Sequence, residues 1–181
     1  MRLEVGTQTP GFTVETLRHG TVSLDDLKGK RLWLQFHRFA GCPFCSLQVR
    51  ELIERHQEVE LSGLTHIAFF HSPRSQVEKH MGTLHTPFLV AADPERVAYR
   101  AYGVQQSWRG LLSRRYLTGS VKAIWHGLFA NPIGQNGGLA GLPADFLVDE
   151  AGVIRYSHYG EDAADMLSVE DVVRLVHRFE P

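Results

Sequence analysis

A pair of cysteines between a predicted strand and a predicted helix constrains the fold of this chain more than any other feature. Residues 32–37 form a β-rich run short enough for a buried strand, and residues 47–56 carry apolar side chains at helical spacing. Between them stands Gly41-Cys42-Pro43-Phe44-Cys45. This order predicts Cys42 as the N-cap of the helix and Pro43 at the first helical position, where a missing N–H is harmless.

The predicted position gives the two thiols different chemistry. The free N–H groups and positive partial charge at a helix N-terminus stabilise a thiolate, which is the reactive form of cysteine. We therefore expect Cys42 to be an exposed nucleophile with a lowered pKa, and Cys45, one turn further along the same side, to be the shielded resolving thiol. The chain has no third cysteine, so an intramolecular disulfide can join only these two.

Two other roles for the cysteines remain open at this stage. They could form a buried structural pair, or they could supply half of a tetrahedral zinc site. A zinc site needs two further ligands, and the sequence has no second cysteine pair, while its ten histidines are scattered. Two features favour a redox motif: a proline lies between the two cysteines, and a predicted strand precedes them.

Length and charge narrow the class of protein. A chain of 181 residues with 43% hydrophobic content can build one sizeable core, so we expect a single domain over residues 1–181. The net charge of −1 argues against nucleic acid as a partner. No apolar stretch predicts stable membrane insertion or a signal peptide, so the expected compartment is the cytoplasm.

The remaining patterns predict alternating strands and helices. We expect a hairpin over residues 10–23, a capping box at Ser23, strands at 65–71 and 88–91, a helix capped by Asp93, a second hairpin near Asp149, and a last helix capped by Ser168. Together these elements predict an α/β fold with helices flanking a central mixed sheet.

A segment at about residues 104–133 interrupts this regular order. Its apolar residues recur at helical spacing, and its charged residues are all basic: Arg109, Arg114, Arg115 and Lys122. One or two inserted amphipathic helices are predicted. Such a helix can cover the core with its basic side facing solvent, or it can bind an anionic partner or a membrane surface.

Taken together, these elements resemble the AhpC/TSA (peroxiredoxin-like) family of the thioredoxin-fold superfamily. The resemblance rests on Pro10-Gly11-Phe12, Gly41-Cys42-Pro43-Phe44-Cys45, Ala101-Tyr102-Gly103-Val104 and Leu142-Pro143-Ala144-Asp145-Phe146-Leu147-Val148-Asp149 in that order. It implies a thioredoxin-like fold in which residues 104–133 are an insertion.

The chain departs from the family's pattern at several positions. Peroxide-reducing members usually have Thr or Ser three residues before the reactive cysteine and Pro further upstream, where this chain has Phe39 and Gln35. Pro143 stands where the family has a separate arginine. A proline there resembles the thioredoxin branch and implies a cis Leu142–Pro143 bond that shapes a groove for a substrate disulfide.

The thioredoxin branch also often has an acid six residues before the first cysteine, and this chain has Phe36 there. The nearest polar candidates are His37 and Arg38, and a cation at either position would stabilise the Cys42 thiolate. For His37, an ordinary hydrogen-bonded strand histidine is the competing interpretation.

The sequence thus predicts a thiol–disulfide oxidoreductase of peroxiredoxin-like type that cycles between a Cys42–Cys45 dithiol and disulfide. It would reduce protein disulfides or, as the second choice, peroxides, and a thiol donor such as thioredoxin or glutathione would restore it. No cofactor or metal is expected. The alternatives are a thioredoxin-fold copper carrier and a binding module without catalytic activity.

Overall fold

The computed structural model describes residues 2–106 and 141–178. In this part of the chain seven strands form one mixed sheet in the order β2-β1-β5-β4-β3-β6-β7. The strands are β1 (Thr13–Thr16), β2 (Thr21–Ser23), β3 (Arg31–Phe36), β4 (Leu64–Phe70), β5 (Leu89–Ala92), β6 (Ala144–Val148) and β7 (Ile154–Tyr159). The helices are α1 (Pro43–Glu54), α2 (His56–Leu61), α3 (Arg74–Met81), α4 (Val97–Ala101) and α5 (Val169–Val176).

Strand β3 lies inside the sheet, between β4 and β6, and leads to the loop that carries the cysteines. It runs parallel to β4 and antiparallel to β6, with Phe36 opposite Phe69 and Gln35 opposite Asp145. The backbone N–H of His37 still bonds to the Phe69 carbonyl at 2.9 Å, so the ladder continues one residue past the strand. The ends of β3 and β4 therefore lie side by side where the cysteine loop begins.

The alternation of side chains along β3 divides the core into two layers. Trp33 lies in the layer that also contains both cysteines and the apolar faces of α1 and α5. Leu34 and Phe36 lie in the opposite layer, with Tyr99 of α4. The sheet is thus covered on both sides, as the predicted α/β arrangement requires.

Most of the predicted local elements are confirmed. The first hairpin forms, with Val14 opposite Val22, and the Ser23 capping box opens a short 3-10 turn. Ser168 caps α5 by accepting from the Asp171 N–H at 3.1 Å. Asp93 also caps its helix, but through N–H groups that begin at Val97, because α4 starts later than the sequence suggests.

The predicted helical segment at 104–133 lies almost entirely outside the described residues, and so does its basic cluster. The expectation of a single domain stays a prediction. None of the helices within residues 2–106 and 141–178 is both long enough and apolar enough to cross a bilayer.

Candidate active site

Cys42 lies at the N-terminus of α1, as predicted. It is the N-cap residue with extended backbone angles, and α1 begins at Pro43. The Cys42 carbonyl accepts the first helical bond from the Ser46 N–H at 3.0 Å, and the Cys42 N–H donates to the Phe39 carbonyl at 3.0 Å. Since Pro43 needs no acceptor for its nitrogen, the turn from loop to helix costs no backbone hydrogen bond.

The two thiols are free and in contact, because the Cys45 S–H donates to the Cys42 sulfur. Burial on its own would raise the pKa of Cys42, but this bond, the Arg38 charge and the backbone N–H groups of Phe44 and Cys45 together lower it to about 6. Burial and the neighbouring Cys42 sulfur raise the pKa of Cys45 well above its usual value. At neutral pH the pair is thus a thiolate at Cys42 beside a protonated thiol at Cys45.

The expectation that Cys42 is exposed is wrong. Its relative exposure is 0%, the same as that of Cys45. The loop folds back through the bond from Cys42 to Phe39, and Phe39, Ala40 and Phe44 join the two sulfurs in one buried apolar cluster. A substrate must therefore be small enough to enter through a local opening, or these neighbours must move.

Arg38 supplies the positive charge beside the thiolate. Its side chain is 1% exposed, its Nη1 lies 3.6 Å from the Cys42 Sγ, and its Nε donates to the Gly141 carbonyl at 2.8 Å. The guanidinium thus uses one N–H to fix its position and another to contact the sulfur. Sequence analysis named Arg38 as a candidate cation, but only the fold shows that Gly141, 103 residues away, holds it.

His37 does not share this role. Its ring is fully buried and stacks on Phe70 with centroids 4.7 Å apart, and burial lowers its pKa to about 3. Neither ring nitrogen has a hydrogen-bond partner within the described part of the chain. A neutral imidazole cannot stabilise a thiolate by charge, so Arg38 is the cation of the two candidates.

The family of this chain follows from comparison with known proteins. A model of the AhpC/TSA family matches residues 5–157, which include the cysteine loop, strands β1 to β6 and most of β7. The chain belongs to the AhpC/TSA family.

Relatives and solved structures agree with this family. Two relatives named "Putative peroxiredoxin bcp" come from Haemophilus influenzae, with 26% identity over 102 residues, and from Coxiella burnetii, with 24% identity over 135 residues. These matches cover 56% and 69% of this chain, and 66% and 89% of the relatives. The crystal structure of peroxidoxin BcpB from Mycobacterium tuberculosis superposes with a TM-score of 0.71 at 11% identity, covering 99% of this chain and 100% of the other. The predicted thioredoxin-like fold is confirmed.

Pro143 differs from its predicted geometry in this AhpC/TSA protein. No peptide bond among the described residues is cis, so the Leu142–Pro143 bond is trans. Leu142 donates to the Gln105 carbonyl at 3.2 Å and the Pro143 carbonyl accepts from Gly160 at 2.9 Å, so the chain runs extended into β6. The prediction of a cis bond is wrong, and trans is the form that an X–Pro bond intrinsically prefers.

Asp145 is an ionisable residue that sequence reasoning did not single out. It is completely buried in β6, where Oδ1 accepts from the Trp33 Nε1–H at 2.9 Å and Oδ2 from the Leu167 N–H at 3.2 Å. Burial raises its pKa to about 6 against the lowering effect of these bonds. The Leu167 carbonyl accepts from Gln48 of α1 at 2.8 Å, which places Asp145 beneath the helix that carries the cysteines. The sequence does contain a signal for this buried carboxyl, because Asp145 is an acid within the otherwise apolar run of residues 144–148.

The described residues hold no group of three or more His, Cys, Asp or Glu side chains placed to bind a metal ion. What the site does contain is a thiolate, an adjacent thiol and a fixed guanidinium. This set can attack an electrophilic oxygen or sulfur and then close a disulfide.

Proposed function

We propose that this AhpC/TSA protein is a peroxiredoxin-like thiol oxidoreductase whose first substrate is a small peroxide. The observation that carries the proposal is the Cys42 sulfur, which receives a hydrogen bond from Cys45 and lies 3.6 Å from the Arg38 guanidinium. Both contacts stabilise the thiolate over the thiol, which keeps the nucleophile ionised near neutral pH.

The reaction uses only the two cysteines and an external thiol. The Cys42 thiolate attacks one peroxide oxygen, the O–O bond breaks, and the leaving oxygen takes a proton to become water or an alcohol. Cys42 becomes a sulfenic acid. The Cys45 thiol then attacks the Cys42 sulfur, water leaves, and a Cys42–Cys45 disulfide forms. Two thiol equivalents from a donor such as thioredoxin or glutathione restore the dithiol.

Burial of both sulfurs supports a peroxide over a protein disulfide as the first substrate. Attack on a disulfide requires the substrate's sulfurs to approach the nucleophile in line, within a folded partner that cannot enter a closed site. A peroxide such as hydrogen peroxide has two heavy atoms and needs only a small displacement of Phe39 or Phe44. The trans bond at Pro143 also removes one argument for a disulfide-binding groove.

Reduction of protein disulfides is the second candidate. Its support is the two-residue spacing of cysteines that are already in contact on the first turn of α1. Such a pair exchanges readily between dithiol and disulfide. The copper-carrier and binding-module alternatives receive no support from the named relatives. A cytoplasmic location remains part of the proposal.

Parallel assays of hydrogen peroxide and of insulin disulfides, with thioredoxin or glutathione as donor, test both candidates. Wild type should consume peroxide faster than it reduces insulin, and Cys42→Ser should lose both activities. Because the chain has only two cysteines, Cys42→Ser retains one thiol and serves as a control for unspecific thiol reactivity. Equal rates for Cys42→Ser and wild type in both assays would overturn the proposal, and faster insulin reduction would make the second candidate the function.

A further inference from the structure

Tyr99 connects the layer opposite the cysteines to the loop that carries them. It belongs to α4 and is completely buried. Its hydroxyl lies 2.5 Å from the His37 carbonyl and 2.8 Å from the Phe69 carbonyl. These two carbonyls mark the adjacent ends of β3 and β4, so one phenol hydroxyl, whose single proton the two oxygens share, links the ends of both strands beside the cysteine loop.

The His37 carbonyl is directly linked to the position of Arg38. Carbonyl carbon and following nitrogen belong to one planar peptide unit, so fixing the His37 oxygen fixes the plane through which the Arg38 backbone begins. From that plane the Arg38 side chain extends to Gly141 and to the Cys42 sulfur. A small rotation of this peptide would move the guanidinium away from one contact or the other.

Tyr99 is itself firmly held. The Asp93 carboxylate accepts from the Tyr99 N–H and from the two N–H groups before it. The Tyr99 ring packs edge-on against Phe36 and His71, with centroids 5.0 and 5.5 Å away. The phenol oxygen is thus a fixed point against which the loop can be aligned.

We propose that Tyr99 is a positioning residue for the thiol chemistry: its hydroxyl fixes the His37–Arg38 peptide and thereby keeps the Arg38 guanidinium at the Cys42 sulfur. This inference rests on the proposed function, since it assumes that an ionised Cys42 is the nucleophile. It adds a residue from the layer of the core opposite the one that contains the two sulfurs.

Tyr102 provides a matched control. It follows α4, it is also completely buried, and its hydroxyl donates to a backbone carbonyl, that of Pro10, at 2.8 Å. Pro10 precedes β1 in the N-terminal segment and is not part of the cysteine loop. Tyr102→Phe therefore removes a part-buried hydrogen bond from a buried tyrosine without removing any bond to the His37–Arg38 peptide.

The experiment compares Tyr99→Phe, Tyr102→Phe and wild type by thiolate absorbance and by the pH dependence of Cys42 alkylation, each in a Cys45→Ser background. Both variants should lower the thermal midpoint to a similar extent. Only Tyr99→Phe should raise the Cys42 pKa, by about one unit, with a several-fold lower alkylation rate at pH 6. Repeating the change in an Arg38→Met background should abolish its effect, as in a double-mutant cycle.

Two results would overturn the inference. One is a Cys42 pKa in Tyr99→Phe equal to that in Tyr102→Phe, and the other is an undiminished effect of Tyr99→Phe when Arg38 is already replaced. An ordinary thiol pKa at Cys42 in the wild-type protein, with Cys45 present, would instead overturn the proposed function itself.

Discussion

The Arg38 Nη1 lies 3.6 Å from the Cys42 Sγ, although the two residues occupy opposite ends of the loop between β3 and α1. The loop turns back on itself through the hydrogen bond from the Cys42 N–H to the Phe39 carbonyl, and the Arg38 guanidinium contacts the Cys42 sulfur within the same loop. The contact is local in sequence, but its second anchor, the Gly141 carbonyl, is far away. The charge beside the sulfur therefore depends on both a short loop and the global fold.

Replacing Arg38 by Met should raise the pKa of Cys42 from about 6 towards that of an ordinary thiol, because the stabilising charge is removed. The thiolate fraction at pH 7, and with it the rate of peroxide consumption, should fall on the order of tenfold. Arg38→Lys should recover only part of this rate, since an ammonium cannot reproduce the fork that contacts Gly141 and the sulfur together. The measurement is the pH profile of Cys42 alkylation.

Arg74 offers the control for that change. It also donates to backbone carbonyls, those of Thr16 and Leu17, whereas the charge that lowers the Cys42 pKa is that of Arg38. Arg74→Met should leave the pH dependence of Cys42 alkylation unchanged. A profile shifted equally by both substitutions would mean that loss of stability, not loss of charge, explains the result for Arg38.

Replacing Cys45 by Ser should stop the reaction at the sulfenic acid. Cys42 can still attack peroxide, but no thiol remains on the chain to resolve the product. Mass spectrometry after one equivalent of peroxide should show one added oxygen atom on Cys45→Ser, where wild type loses two hydrogens. Formation of a stable oxygen adduct on wild type with no loss of hydrogens would contradict a resolving role for Cys45.

Replacing Asp145 by Asn should change how stability depends on pH. Burial raises the folded-state pKa of Asp145 from 3.8 to about 6, so the folded protein holds this proton more tightly than the unfolded chain. The stabilisation by the protonated form is therefore present below pH 4 and is lost as the pH rises towards 6. As the pH rises from 4 to 7, the free energy of unfolding of Asp145→Asn should increase relative to that of wild type by up to about 3 kcal/mol.

Denaturant unfolding at several pH values measures this difference, and Asp26 gives a control of opposite sign. The bonds from Ser23 lower the pKa of the exposed Asp26 carboxyl, so Asp26→Asn should lose stability relative to wild type as the pH rises. A difference between Asp145→Asn and wild type that stays constant from pH 4 to pH 7 would refute the raised pKa.

Replacing Gly141 by Ala should displace the carbonyl that holds the Arg38 side chain in place. A Cβ on Gly141 would lie 2.7 Å from the His71 Nε2, closer than Cβ atoms in proteins approach a neighbouring atom, and His71 is completely buried. The displacement should cost about 1–3 kcal/mol of unfolding free energy. It should also raise the Cys42 pKa, because the Gly141 carbonyl holds Arg38.

The matched change is Gly11→Ala, since a Cβ there would meet no atom within 4 Å. It should be nearly neutral in the same unfolding and alkylation measurements. If Gly141→Ala also left both quantities unchanged, the close approach of Gly141 to His71 would not be needed for the alignment of Arg38.

Sequence reasoning succeeded where the determining contacts lie within a few residues. The Ser23 capping box and the Cys42 N-cap each depend on groups three or four positions apart. The same reasoning correctly placed two cysteines on one side of the first turn of α1. Such features are encoded locally, because the repeat of the helix or the geometry of a turn brings the groups together.

The wrong exposure of Cys42 and the missed roles of Asp145 and Tyr99 depend on packing in the assembled fold, whereas the wrong cis bond at Pro143 does not. Exposure of Cys42 is decided by how Phe39 and Phe44 pack into the core, which no local pattern states. The bond between Trp33 and Asp145 joins residues 112 positions apart, and the roles of Asp145 and Tyr99 become visible only once the sheet is assembled. The presence of Asp145 in an apolar strand indicates a buried carboxyl, but its hydrogen-bond donors, Trp33 and Leu167, are identified only by the fold.

The anchoring of Arg38 by Gly141 has a consequence for classifying related sequences. Where the family pattern has an arginine after the helical region, this chain has Pro143, and the guanidinium beside the sulfur comes instead from Arg38 in the loop before the cysteines. A search that scores alignment columns would record this cation as missing. A search for a basic side chain near the sulfur in three dimensions would find it. Family members that lack the arginine in its usual alignment column are therefore better recognised by the three-dimensional position of the charge than by its position in the sequence.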